Sequence, residues 1–349
     1  MIAREPEPHR RRHHEILRRY PQIRSLYGHD PRTGAITYAV VAAQLGIAYA
    51  LQRLADAGSL FGAWWSIAIA AYAVGAFAAK WSGVAIHESS HNLVYRTTRQ
   101  NMAFAFFANL PVLVPAAAFF RRYHLDHHAY MGVQGRDNDL PTRWEVKLVG
   151  RSSLLKLVWV FFFVFFGTLA RGFVKRPNRW EVANVLVQVA FDIALVAWLG
   201  WTGIAYLALS LVFAFGLHPV AGNFIHEHYL WNGHQETWSY YGPLNKLTLN
   251  LGYHTEHHDF MRVPSRRLPE LHAIAAEYYD ALDSHRSWAW VIWYFIRSRE
   301  MGHFSRITRS MDVYRQRSPG TKHEQPAELI ARRRRMEPEI VLAGELCHR

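Results

Sequence analysis

Long apolar runs alternate with short polar breaks along most of this chain, and the runs approach the length that a bilayer demands. Residues 36–54 read as a first span and 60–79 as a second, joined by the tight turn Asp56-Ala57-Gly58-Ser59. The second helix is expected to run on past Lys80 and Trp81 to His87 and His91. Residues 101–120 are also apolar, but Pro111 and Pro115 break them, which suits a re-entrant or interfacial segment better than a span. Residues 182–199 and 204–217 form two further apolar helices around Gly200-Trp201-Thr202-Gly203.

Residues 154–173 have the length to cross, yet a fifth crossing would put the histidine clusters described below on opposite faces of the membrane. They are therefore read as an in-plane or re-entrant helix. The expected fold is an all-α integral membrane protein with four transmembrane helices in two hairpins. A cytoplasmic helical cap, with residues 268–293 closing it, would carry the chemistry. Around the 35–315 membrane domain lie a basic arm, 1–34, expected to rest solvated on anionic lipid, and a polar basic tail, 316–349, expected to be disordered.

Composition supports a membrane protein. Half of the 349 residues are apolar, while the net charge of +13 is concentrated in segments beside the spans. Arg136, Lys147, Arg151, Arg171, Lys175, Arg176, Arg179, Arg266 and Arg267 all fall on one expected side, as the positive-inside bias requires of the cytoplasmic face. No aromatic-basic platform or zinc-finger spacing points to nucleic acid. The lone cysteine, Cys347, excludes an internal disulfide and thiol exchange. Met1-Ile2-Ala3-Arg4 offers neither a secretory signal nor a myristoylation glycine.

The candidate chemistry is imidazole. His124, His127 and His128 stand at H-x-x-H-H spacing, repeated 130 residues later as His254, His257 and His258, and His87-Glu88-Ser89-Ser90-His91 precedes both. On a helix, positions i, i+3 and i+4 share a face, so each H-x-x-H-H triplet is expected to aim its three rings at one place. Neutral imidazoles suit iron, copper or zinc, and eight of them exceed what one zinc requires, so two metals fit better. Beside apolar helices, such a centre suits oxidation of a lipid chain, whose unactivated methylenes have no proton that a side-chain base can remove. Glu88, Asp126, Glu227, Glu256 and Asp259 are the carboxylates available to orient rings. The row Phe161, Phe162, Phe163, Phe165 and Phe166 reads as lipid-facing bulk.

With its three histidine boxes the chain resembles the membrane fatty acid desaturase superfamily, and within it the sphingolipid delta-4 desaturases. The segments HRRRHHEILRRYPQIRSL, FANLP, RYHLDHH, DNDLPT, HPVAGNFIHEHY, ETWSYYGPLN, GYHTEHHDF and AAEYYDAL carry the likeness. The resemblance implies two iron ions, O2 as oxidant, a membrane lipid substrate of the dihydroceramide type, and electrons from a separate cytochrome b5-like or ferredoxin-type protein. It implies His87, His91, His124, His127, His128, His254, His257 and His258 as ligands. His228 is the further candidate, and Asn223, where the subfamily usually has His, could act through a water. His226 is an extra histidine, and His218 suits a helix-end hydrogen bond. The Arg-over-Lys skew, the abundant alanine and the missing myristoylation signal suggest a bacterial inner membrane, with the site on the cytoplasmic side. A lipid hydroxylase sharing the same centre, an H-E-x-x-H zinc protease and a metal transporter are the alternatives. Nothing in the sequence fixes an oligomeric state.

Overall fold

The computed structural model describes residues 1–165 and 175–315, and they are mostly helical. The end of the 154–173 segment, with Phe166, and the expected tail at 316–349 lie outside the described residues. Among the described residues, three helices are long and apolar enough to cross a membrane: α2 (Pro31–Asp56), α3 (Trp64–Ser90) and α8 (Arg179–Phe215). Asp30 caps α2 by accepting from the amide of Arg32, with Pro31 in the first turn. As expected, α3 runs unbroken past Lys80 to the first histidine box, with one π turn at Ala71–Gly75.

α8 is two helices meeting at Gly200, whose φ of 66° and ψ of −176° belong to a region open only to glycine. Gln52, near the far end of α2, accepts from the amides of Thr202 (2.9 Å) and Gly203 (3.4 Å) and so satisfies the backbone at the break. At one end of α8, Glu181 receives Arg122. At the other, Phe215 packs on Gly83. Both ends therefore lie near the histidines. Between them Leu195, Leu199, Tyr206 and Leu207 share a core with Ala48, Leu51 and Ala71.

The apolar 101–120 stretch is broken where the prolines stand. α4 (Thr98–Asn109) and α5 (Ala117–Tyr130) meet at 115°, and Leu113 takes a left-handed φ of 62°. The Asn109 side chain holds the bend, accepting from the amides of Ala116 and Ala117 and donating to Val114 O and Gln188. The bend turns α5 so that it carries the central histidine box back toward the end of α3.

After the short helix α6 (Arg143–Val149), α7 (Ser153–Phe161) buries Lys156, Trp159 and Val160 while exposing Leu154, Leu157 and Phe161. The Lys156 ammonium donates to the carbonyls of Ser298 and Met301. Phe162 and Phe165 are exposed, whereas Phe163 instead stacks on Phe224. Beyond α8 the chain continues in short pieces, together called the cap from here on: α9 (Asn223–His226), α10 (His254–Asp259), α11 (Leu268–Ile274), α12 (Trp288–Arg297) and a two-residue parallel pairing of Ser239–Tyr240 with Ser284–His285. The 268–293 stretch is thus several elements and not one helix.

The N-terminal arm departs from expectation. α1 (His9–Arg19) and the turn after it bury Ile16, Ile23 and Leu26 against Phe260, Leu268, Leu271 and Tyr279, while Arg10, Arg18 and Arg19 stay exposed. Arg12 is buried and donates to both oxygens of Asp259, at 2.5 and 2.9 Å. The arm is part of the cap because its apolar positions recur on one helical face, a pattern that its arginines mask in composition.

Candidate metal centre

Nine histidines converge where α3, α5, α10 and the segment after α9 meet. His87, His91, His124, His128 and His257 form one group whose ring nitrogens lie within 4.8 Å of one another, and His127, His228 and His258 form a second. His254 joins the second group, with its Nε2 2.9 Å from Nε2 of His228 and its ring 4.5 Å from that of His258. The two groups touch through the stacked rings of His128 and His258, 4.2 Å apart.

Each H-x-x-H-H box therefore serves two places and not one. On an α-helix, i and i+4 differ by about 40°, whereas i+3 lies about 60° to the other side. So His124 and His128 face the first group while His127 faces the second. On α10 the roles reverse: His254 and His258 face the second group and His257 the first.

Nε2 of His124 lies 2.8 Å from Nε2 of His91 and 3.0 Å from that of His128, which in turn is 3.1 Å from Nε2 of His257. In the second group, Nε2 of His228 lies 3.0 Å from His127 and 2.9 Å from His254. An imidazole nitrogen carries either one proton or one lone pair, so a nitrogen with two nitrogen neighbours at these distances can hydrogen-bond to only one of them. Nitrogens about 2.0–2.1 Å from a common cation sit about 3 Å apart on adjacent positions. The spacing fits metal coordination by nitrogen alone.

Burial, and then the neighbouring imidazoles, push His228, His254, His257 and His258 well below the usual histidine range. They are therefore neutral, as ligation requires.

Outside the rings, Asp137 accepts from Nδ1 of His127 at 2.9 Å and is itself fixed by the amides of Gly132 and Asp139. This residue was not among the candidate ring-orienting carboxylates, although it opens the segment DNDLPT, which carries part of the family likeness. Glu227 and Glu88 each come to 3.7 Å from a ligand Nδ1, on His254 and His87. Three other carboxylates tie the cap together. Glu256 accepts from Ser239, Tyr241 and His272, Asp259 holds the arm, and Asp126 pairs with Lys175.

Asn223 stands outside both groups, its amide taken by Lys80 and Glu227. His226 is also outside, accepting from the Trp288 indole at 3.1 Å. His218 accepts from the amide of Val220, the helix-end role expected of it. Glu88, the general base that a zinc protease would need, is buried and engaged by the amide and hydroxyl of Ser265. His87 and His91, meanwhile, belong to a five-nitrogen set.

The chain thus pairs long apolar helices with a largely buried, all-imidazole cluster whose spacing fits metal ions. Residues 62–296 match the fatty acid desaturase family, and residues 3–32 match the family described as sphingolipid delta4-desaturase. A rice protein named sphingolipid delta(4)-desaturase DES1-like is 45% identical over 87% of this chain and 90% of its own. A fruit-fly sphingolipid delta(4)-desaturase DES1 is 40% identical over 87% and 93%. A human protein named sphingolipid delta(4)-desaturase/C4-monooxygenase DES2 is 42% identical over 88% and 93%. The chain belongs to the fatty acid desaturase family.

Proposed function

We propose that the protein holds two iron ions and introduces the delta-4 double bond into a dihydroceramide-type sphingolipid. His87, His91, His124, His128 and His257 would hold one iron, and His127, His228, His254 and His258 the other. The observation that carries the reading is the doubly neighboured nitrogens of His124, His128 and His228, whose two contacts at once suit shared cations better than hydrogen bonds. The substrate is supported by relatives 40–45% identical over most of the chain whose names specify that reaction.

When bound, the irons supply O2-dependent removal of hydrogen from an unactivated methylene. In balance, one O2, two electrons and two protons convert a CH2–CH2 unit to CH=CH and two waters. The electrons come from a separate cytochrome b5-like or ferredoxin-type carrier. The chain's own part is to orient the rings, through Asp137 at His127 above all, and to bury the four-histidine group away from bulk water. We further read four crossings in two hairpins, with the cap and site on the cytoplasmic side. The arginine skew supports a bacterial inner membrane, although the relatives named above are eukaryotic.

Hydroxylation at the same carbon is the second reading, supported by the human relative's double name. Expression in cells supplied with dihydroceramide and with acyl lipids, followed by lipid mass spectrometry, separates the readings. Loss of two hydrogens from the long-chain base is expected, gain of one oxygen would favour hydroxylation, and an unchanged base would overturn both.

A further inference from the structure

Lys80 lies two helical turns before His87 on the same face of α3 and is only 2% exposed. Its ammonium sits between the rings of Phe215 and Phe224, 4.3 and 4.2 Å from their centres, and donates to Oδ1 of Asn223 at 2.9 Å. Burying a cation among apolar rings is costly and calls for a compensating role.

The partners suggest what that role is. A lysine has donors only, so Asn223 must turn its oxygen toward Lys80 and its NH2 the other way. That NH2 donates to Oε1 of Glu227 at 2.9 Å, and the same oxygen is 3.7 Å from Nδ1 of His254. At 3.7 Å this is an electrostatic contact and not a hydrogen bond, and a carboxylate facing Nδ1 favours the Nδ1–H tautomer that leaves Nε2 free for a metal. Nε2 of His254 is the atom that faces His228 in the four-histidine group.

We propose that Lys80, Asn223 and Glu227 form a strut that positions His254, with Lys80 as the residue that sets the direction of the whole chain of contacts. The strut rests on the two-metal reading above. It gives Asn223 a role as a link and not as a ligand. It also ties a spanning helix to the cap, since Lys80 is on α3 while Asn223 and His254 are on cap segments.

The test uses full-length protein in detergent, titrated with cobalt(II) and read by its visible absorption and by metal analysis, with no turnover required. Wild type should bind two cobalt ions. Lys80→Met should leave the five-histidine subsite unchanged but weaken the four-histidine subsite about 10- to 100-fold, the usual cost of losing an outer partner, and alter its absorption band. Asn223→Ala, which keeps Lys80 and cuts the same link, should do likewise, whereas Lys80→Gln, which retains a donor, should restore part of the affinity. Folded Lys80→Met and Asn223→Ala proteins that bind both ions with wild-type affinity and spectra would overturn the strut. Equal weakening at both subsites would also overturn it, because a purely structural role predicts that. A wild type that binds fewer than two ions would overturn the two-metal reading, and the strut with it.

Discussion

Asp137 and His127, ten residues apart, are joined by a 2.9 Å hydrogen bond from the imidazole Nδ1 to the carboxylate, and His127 is thereby held with Nε2 toward His228. Asp137→Asn keeps the shape but replaces a charged acceptor, so metal affinity at the four-histidine subsite should fall about 10- to 100-fold. Cobalt or iron titration of the purified variant checks this. Wild-type affinity would show that the carboxylate merely shapes its loop.

The split of each box across two groups predicts unequal consequences for adjacent histidines. His258→Ala takes the second group from four nitrogens to three and should empty that subsite, whereas His257→Ala leaves four in the first and should only weaken it. Turnover should be lost in His258→Ala and in His127→Ala. Metal counts per chain decide the point, and equal loss from the two adjacent variants would contradict the split.

Much of this was legible in the sequence because its signals are local. The apolar lengths, the Pro111 and Pro115 break and the Gly200 turn each lie within a few residues of the feature they set, and all three recur in the structure. The histidine spacing likewise announced the centre. What spacing could not give is the rotation of α5 and α10 about their axes, which assigns each ring to one group or the other. That rotation depends on long-range packing. The same holds for the arm, whose seat depends on Asp259, 247 residues after Arg12.

Because the arm is seated by a buried ion pair, removing one partner leaves a charge uncompensated. Arg12→Met should destabilise the protein by about 3 kcal/mol or more, since the Asp259 carboxylate then loses its guanidinium partner and keeps the His9 ring in its place. Thermal unfolding of the detergent-solubilised protein measures the effect. A variant as stable as wild type would mean that the apolar contacts of Ile16 and Ile23 suffice.

Gly200 carries a backbone conformation that an L side chain resists, and an added Cβ would also meet the Gln52 side chain at 2.7 Å. Gly200→Ala should therefore cost about 1–3 kcal/mol and reduce the yield of folded protein, while metal binding in the fraction that folds stays unchanged. Unaltered yield and thermal stability would show that the break between the two halves of α8 tolerates another geometry.

His272 links Glu256 to Asp280 through its two ring nitrogens, at 2.6 and 3.0 Å. Burial favours its neutral form, but the hydrogen bonds and charges of Glu256 and Asp280 outweigh burial and hold the ring above the ordinary histidine range. A raised value in the folded state means that the proton is held more tightly there than in the unfolded chain. Its stabilisation is therefore complete below about pH 6.5, the unperturbed value, and is lost as pH rises through the folded value. His272→Gln, which cannot charge, should flatten that part of the stability profile and leave the slope of the acidic limb unchanged. Denaturation series across neutral pH provide the check, and parallel curves for the two proteins would show that the ring contributes no pH-linked stability.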